Sequence, residues 1–549
     1  MIGVIAEKRE QAVVEEFFEL FKTPWEFARE GKRYDALVMT ADTADRVNAP
    51  VVIVYGSGHR GLDNPFAIRM NESQSPVLLS WQGRRFPIYG KAVTLDGPGE
   101  AVLVHDGDRG VGGVRMADAG RQIYRFGFDL FQEVEHLLRE GQPEGHAAIP
   151  ALDFHIDLLR ECVLSADVPL VEIPPCPPGH RFIACLTHDV DFVGIRPHRF
   201  DATMFGFVYR ALFESAVRAL RGTLTWEKVW KNWKAVVSLP GIFLGIQKDF
   251  LIQFDRYAEM EGGLRSTYYL VPFKSRPGMS PEGRDTEGRG VKYDIDAITS
   301  EMKKLVHRGC EIGLHGIDAW HDAEKGSEER MRIQRATGTG VDGVRMHWLF
   351  FAGDSPRLLE QAGFLYDSTA GYNEAVGYLS GTSQPYRLPG TNLYELPLHV
   401  MDTALLSPGR MGLSEEDAFE RIREIVSHVS AAGGVFTLNW HHRSVGPERF
   451  WDDLYVRILE ELRKNGAFFA TARDAVCWFR KRRSAVFWDM DEQKGIAQVR
   501  LEGESGGELP DLIFRVHKRG GDPEDTTVAG EGLSVAEAVQ EFSAEGTVR

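Results

Sequence analysis

The sequence predicts an α/β protein whose main body is a distorted parallel (β/α) barrel or a doubly wound sheet. Three observations carry this. At 549 residues the chain has room for about three or four domains. From Arg181 to about Arg483, apolar strand-like runs alternate with helix-period segments. The run PPCPPGH (174–180) sets this body apart from a smaller α/β stretch before it.

The elements follow in order. GVIAE, YDALVMT and PVVIVYG are buried strands, and FGFDLFQEVEHLLREG closes an N-terminal α/β domain over 1–165. The main body, 178–483, supplies the strands FIACLTHD, STYYLVPF, CEIGLHG, GVRMHW, FLYDST, LYELPLHV and GVFTLNWHH. Between them, SPRLLEQAG has Ser355 as N-cap, Pro356 at the first helical position and Gly363 past its end. A largely helical insertion interrupts the pattern at about 200–262. After it, 484–520 reads as a small β module, and the acidic 521–549 reads as a mobile tail.

Composition narrows the function. Hydrophobic residues at 43% and charged residues at 26% belong to a globular chain. A net charge of −16 repels phosphate backbones and argues against nucleic acid as partner. The five cysteines form no Cys-x-x-Cys pair, which excludes a thiolate zinc site and fits a reducing compartment. The N-terminus turns charged after six residues, without a secretory apolar segment, so a cytoplasmic location is expected.

Three strand ends carry metal-binding chemistry. Thr187-His188-Asp189-Val190-Asp191 follows an apolar run, and alternation puts Asp189 and Asp191 on one face. CEIGLHGIDAWH ends in His315, with Asp318 and His321 behind it, and GVFTLNWHH ends in His441 and His442. Carboxylates and imidazoles at the C-terminal ends of parallel strands suit a catalytic zinc-type ion with open positions.

These residues resemble the polysaccharide deacetylase family, carbohydrate esterase family four, which removes acetyl groups from glycans. THDVD stands where the family has TFDDG, in the Asp-x-Asp form of some peptidoglycan deacetylases. The resemblance implies Asp189 as catalytic base, and Asp191 and His315 as ligands of a divalent ion, Zn2+ first, with Co2+ or Ni2+ as alternatives. The family's second histidine lies four residues on, but here that position is Ala319, so His321 becomes the candidate third ligand and Asp318 its competitor. Arg345-Met346-His347-Trp348 matches Arg-x-Pro-Tyr in part, making Arg345 the residue that orients the base. His441 takes the general-acid role with His442 in reserve, and Asp367 or Asp402 would support the catalytic groups. Trp320, Trp348 and Trp440 flank the motifs and would contact the sugar or the acetyl methyl. The implied activity is metal-dependent removal of N-acetyl groups from an amino sugar or polysaccharide. Its rivals are a small cyclic amide or imide hydrolase on the same fold, and a catalytically silent glycan-binding scaffold.

Three further motifs remain. Trp226, Trp230 and Trp233 share a helical face with lysines interleaved. That stripe either docks the insertion or makes the 223–250 helix an interfacial element that meets a membrane or lipid-linked glycan. Gly56–Gly61 matches GxGxxG after a strand, but Pro65 follows where a helix should open, so a tight turn explains the glycines. RKRR (480–483) fits a helix C-terminus.

Overall fold

The computed structural model describes residues 1–42, 48–72, 75–107, 110–281, 286–388, 390–491, 496–501, 509–521 and 523–527. The N-terminal part is a mixed sheet of eleven strands. Ile2–Ile5, Ala36–Met39, Val51–Tyr55 and Arg121–Phe126 run parallel, as their apolar runs imply. The strands between Val77 and Asp118 add antiparallel pairs not read from the sequence. The Gly56–Gly61 loop opens no helix. It is pinned by Arg125, which is paired with Asp63 and donates to the carbonyls of Gly56 and Gly58.

The main body is built on a ten-stranded sheet. Its strands are β1 (Phe182–Val190), β2 (Thr267–Leu270), β3 (Glu311–Gly316), β4 (Gly343–Met346), β5 (Tyr366–Asp367), β6 (Tyr386–Arg387), β7 (Tyr394–Glu395), β8 (Val400–Met401), β9 (Val435–Asn439) and β10 (Ala467–Ala470). All nine residues of β1 are buried, because strands and helices cover both of its faces. Parallel pairing runs β5–β4–β3–β2–β1–β9–β8, and β6 joins β7 antiparallel at one edge. The sheet curls without a regular ladder closing it among the described residues. Its edges are nonetheless linked by one extended segment. Glu395 in β7 is partnered with β5, the Leu398 N–H reaches Ala370 O, the His399 N–H reaches Thr437 O, and Val400 pairs with β9.

Register places the chemistry. His315 lies beside Arg345 across β3 and β4, and Thr187 lies beside Asn439 across β1 and β9. The C-terminal ends of four strands therefore share one edge of the curl.

The C-terminal segments are less independent than the composition predicts. Ile513–His517 pairs antiparallel with Leu170–Glu172 on one side and with Glu524–Thr527 on the other. Glu524–Thr527 is thus a strand inside the stretch read as a mobile tail, an edge strand templated by its neighbour. The rest of that tail, 528–549, lies outside the described residues. RKRR closes the helix Ala472–Ser484, but two of its arginines do more than complement a dipole. Buried Arg482 donates to the carbonyls of Glu19, Leu20 and Ile173, and Arg483 pairs with Glu16. These contacts weld the N-terminal sheet to the main body.

In the insertion, the helix Ala202–Tyr209 and the π-helical turn Arg210–Glu214 after it pack Met204, Phe207 and Ala211 against Ala235, Leu239 and Ile242 of the helix Trp226–Phe243. Trp226 and Trp230 point away from that core and stand more than half exposed, so these two do not dock the insertion, whereas Trp233 of the same stripe is half-buried. No helix of the described residues is long and apolar enough to cross a membrane.

Candidate active site

Asp189 closes β1 at the bottom of a cavity of about 230 Å³. Asp191, His315, His347, Trp348 and His441 line it, and Arg410, Arg443 and Arg449 also face it. Asp189 is held from two sides: Arg345 Nη1 donates to Oδ1 at 3.0 Å and Asn439 Nδ2 to Oδ2 at 2.7 Å. Burial pushes this carboxyl up, but the charges of Arg345, His315 and His441 outweigh burial and hold it below the usual carboxylate range. Arg345 is itself fully fixed. It also donates to Thr187 Oγ1, Ser368 O and Ser368 Oγ, and its guanidinium lies over the Tyr269 ring. It therefore presents one rigid donor to Asp189.

His441 faces the same cavity with the opposite electrostatic bias. Its Nδ1 lies 2.6 Å from Asp402 Oδ1, and its backbone N–H donates to Asp402 Oδ2 at 2.7 Å. Burial disfavours the charged imidazole, but Asp402 outweighs burial and pushes it up to about 9. The cavity thus pairs an ionised carboxylate with a protonated histidine at neutral pH, an acid and a base separated by environment. Asp402, one of the two candidate partners, is the one that supports His441.

Asp367, the other, does not line the cavity. It accepts from Thr369 Oγ1 at 2.5 Å, and burial pushes it up to about 6 beside Glu395, which burial also raises. It stands behind Arg345 as a structural carboxyl. His442 is likewise structural. Its Nε2 accepts from the Gln253 N–H, its ring stacks on Phe254, and burial lowers it to about 3.

The donors suited to a metal need one correction. His315 Nδ1 is fixed by the carbonyl of Arg345 at 3.0 Å, leaving Nε2 facing Asp189 Oδ2 at 3.9 Å. A backbone carbonyl on one ring nitrogen is the usual support of a metal-binding imidazole. Asp191 presents a buried Oδ1 without a hydrogen-bond partner. His321, however, does not line the cavity: its Nε2 is bonded to Asp318 Oδ1 at 3.1 Å, and Asp318 also caps the Met279 N–H. Both candidates for the third ligand are therefore engaged with each other. The position four residues after His315, where the resembled motif has its second histidine, is here buried Ala319 in a turn.

His347, the residue after β4, occupies the cavity instead. Its ring centroid is 4.7 Å from that of His315, it is buried, and its Nδ1 has no hydrogen-bond partner. Burial holds it well below the ordinary histidine range, and neutral imidazole is the form that binds metal. The signal for it in the sequence was position: His347 ends a strand beside His315. Asp191, His315 and His347 line one cavity and carry donor types that a divalent ion takes, and Asp191 Oδ1 and His347 Nδ1 have no hydrogen-bond partner. No three His, Cys, Asp or Glu side chains among the described residues are closed up as a metal cage.

Of the tryptophans, only Trp348 lines the cavity, partly exposed. The chain turns there through two consecutive left-handed residues, Trp348 (φ 64°) and Leu349 (φ 55°). Non-glycine residues are strained in this region, and such strain gathers at functional sites. Trp440 is fully buried against Tyr455, because alternation after Asn439 turns it away from His441. Trp320 is also buried, packed on His321 and Phe350. A larger cleft of about 630 Å³ beside Glu100–His105 holds His517, but that ring is already bonded to Glu172.

No protein-family model matches the chain, and no curated protein matches it by sequence. Among solved structures similar to it are several polysaccharide deacetylases. The carbohydrate deacetylase Agd3 aligns over 97% of this chain and 97% of its own, at 9% identity and a TM-score of 0.34. A Mycobacterium smegmatis protein described as a polysaccharide deacetylase aligns over 56% of this chain and 94% of its own, at 18% identity and a TM-score of 0.33. A family 4 acetyl xylan esterase of Clostridium thermocellum, in complex with a cobalt ion, aligns over 54% and 91%, at 12% identity and a TM-score of 0.26. Likeness at this level carries no argument about individual residues, which rest on the cavity itself.

Proposed function

We propose that this chain is a metal-dependent carbohydrate deacetylase acting on an N-acetylated amino sugar or glycan, with its site on a barrel-like sheet. The observation that supports this best is the opposed pair in one cavity: Asp189 held ionised by Arg345, and His441 held protonated by Asp402. Amide hydrolysis needs both, since water must lose a proton to attack and the amine must gain one to leave.

Asp191, His315 and His347 would hold a divalent ion, whose bound form supplies Lewis acidity to the acetyl carbonyl and an acidified water. Asp189 would accept a proton from the attacking water, and Arg345 and Asn439 keep the carboxylate aimed. His441 delivers its Nε2 proton to the departing nitrogen while Asp402 retains the hydrogen bond to Nδ1. A backbone N–H near Trp348 would face the oxyanion, a contribution of about 3–4 kcal/mol where such a donor is well placed. The Trp348 ring at the cavity offers an apolar face to a sugar or acetyl methyl.

The test is acetate release from N-acetylated oligosaccharides by the Zn2+- or Co2+-loaded protein, with Asp189→Asn and His441→Asn alongside. Expected is release by the wild type and a loss of about 10²–10⁴-fold in each variant. Hydrolysis of a cyclic amide with no acetate released from any glycan would overturn the substrate assignment. Equal activity in wild type and Asp189→Asn would overturn the mechanism.

A further inference from the structure

Fifteen large apolar side chains stand exposed among the described residues, and eleven of them fall between Phe200 and Ile246. They are not scattered. Phe205, Tyr209, Phe213, Val217 and Leu220 recur at helical spacing along Ala202–Leu220, and Leu220 is 77% exposed. Trp226, Trp230 and Val237 continue the pattern on the next helix, with Val237 80% exposed. Each helix already spends its opposite face on the core formed by Phe207, Ala211, Ala235 and Leu239. A surface helix in water has one apolar stripe, and a second one marks an interaction face.

Charge selects the partner. The chain is net −16, yet residues 200–246 carry six Lys or Arg against three Asp or Glu, with Arg210, Lys228 and Lys231 engaged in ion pairs. Arg218 and Arg221 make no ion pair among the described residues, and the Lys234 and Arg199 cations sit over the rings of Trp230 and Phe200. Exposed aromatic and aliphatic side chains with interleaved cations match an anionic lipid surface, where the apolar groups enter the acyl boundary and the cations meet headgroups. No helix among the described residues is long and apolar enough to cross a bilayer, and the element would lie in the interface plane.

We propose that the helical insertion 200–246 is a peripheral docking element for anionic membranes. It hangs from the C-terminal end of β1 and packs on the loop that contributes Arg443 and Arg449 to the cavity. The Glu448 N–H donates to Asn232 Oδ1 at 2.7 Å, Arg210 pairs with Glu448 at 2.6 Å, and Lys228 donates to Phe450 O. Docking would tie the cavity rim to the lipid surface. The inference stands independently of the chemistry in the cavity.

The experiment is co-sedimentation of the full chain with vesicles of phosphatidylcholine alone or mixed with phosphatidylglycerol, at low and high salt. The double variants Phe205→Ser/Phe213→Ser and Trp226→Ser/Trp230→Ser run beside it. These side chains leave the core untouched, and circular dichroism verifies the fold. Expected is binding to the anionic vesicles, weakened by salt, with at least about a tenfold lower partition coefficient in each double variant. Absence of binding to either vesicle overturns the proposal, as does binding that both double variants retain. Equal, salt-insensitive binding to neutral vesicles overturns the anionic assignment. A concentration-dependent dimer in sedimentation velocity, abolished by Trp226→Ser/Trp230→Ser without vesicle binding, assigns the face to a second copy and overturns it as well.

Discussion

Asp402→Asn isolates the electrostatic design of the cavity, because it changes a charge while keeping a side-chain oxygen for His441. In the wild type, Asp402 outweighs burial and lifts His441 from an ordinary 6.5 to about 9. The raised value is equivalent to about 3 kcal/mol favouring the protonated ring. With asparagine the burial contribution remains, the largest attraction is gone and only the weaker pulls of Asp191 and Asp189 persist, so the imidazole falls back to about its ordinary 6.5. At pH 8 the protonated fraction then falls from about 0.9 to about 0.03, a loss of about thirtyfold in available acid, whereas at pH 6 the loss is less than about twofold. The assay is kcat/KM for acetate release across pH 5–10. Stability provides a second readout with a definite sign. A folded-state value raised above the unfolded one stabilises fully below about 6.5 and ceases to do so as pH rises through about 9. The melting-temperature gap between wild type and Asp402→Asn should therefore be widest in acid and narrow towards pH 9. An alkaline limb that does not move, or equal losses at pH 6 and pH 8, would refute the reasoning.

Other substitutions separate the remaining roles. Arg345→Lys keeps a cation but loses the fork that joins Asp189 to Thr187 and Ser368, so kcat should fall about tenfold or more and the acid limb should move to higher pH as Asp189 loses its fixed partner. In calorimetric titrations with Zn2+, His347→Asn and His315→Asn should each lower affinity by at least about tenfold, while His321→Asn leaves it within about twofold. The reverse pattern would restore His321 as the ligand. Arg482→Met should destabilise by about 3 kcal/mol in urea unfolding, because it strands the carbonyls of Glu19, Leu20 and Ile173 in a buried joint.

The parts of the site legible in the sequence are those governed by strand geometry. Apolar runs of four to nine residues mark parallel strands, and a polar residue at the end of such a run must emerge at the C-terminal edge. That logic identifies Asp189, Asp191, His315 and His441, which line one cavity, whereas Arg345, in contact with Asp189, came only from the family resemblance. Alternation, applied consistently, also excludes Trp440, since a strand that turns Asn439 and His441 inward turns the residue between them into the core. His347 was hidden because the resembled motif draws attention to the residues just after His315, whereas the structure brings a second imidazole beside His315 from the end of β4. A contact between neighbouring strands has no fixed separation in sequence, and here it spans thirty-two positions. The welding role of Arg482 and Arg483 was equally unreadable. Four basic residues at a helix end are ordinary, and only the fold brings Glu16, Glu19 and Leu20 beneath them.

An imidazole supplied from the end of β4 rather than from the turn after β3 has a consequence for rigidity. A ligand on the loop after β3 would be free to shift with that loop, but Asp318 and His321 instead close on each other and on the Met279 N–H. His347 follows directly on β4, whose preceding residues are locked: Met346 N–H donates to Thr369 Oγ1 and Arg345 is held at four points. One strand therefore fixes both the orienter of the base and the imidazole beside His315. Movement of β4 would disturb proton abstraction and metal affinity together. The strained turn at Trp348 and Leu349 then lets the chain leave that strand abruptly, keeping His347 inward and Trp348 at the cavity wall. Glycine at 348 would relieve the left-handed strain, by about 1 kcal/mol in stability, while removing the aromatic face. A Trp348→Gly protein that melts no lower than wild type but shows a raised KM for the glycan would assign the strain to positioning. A lower melting temperature would instead place Trp348 among the packing residues.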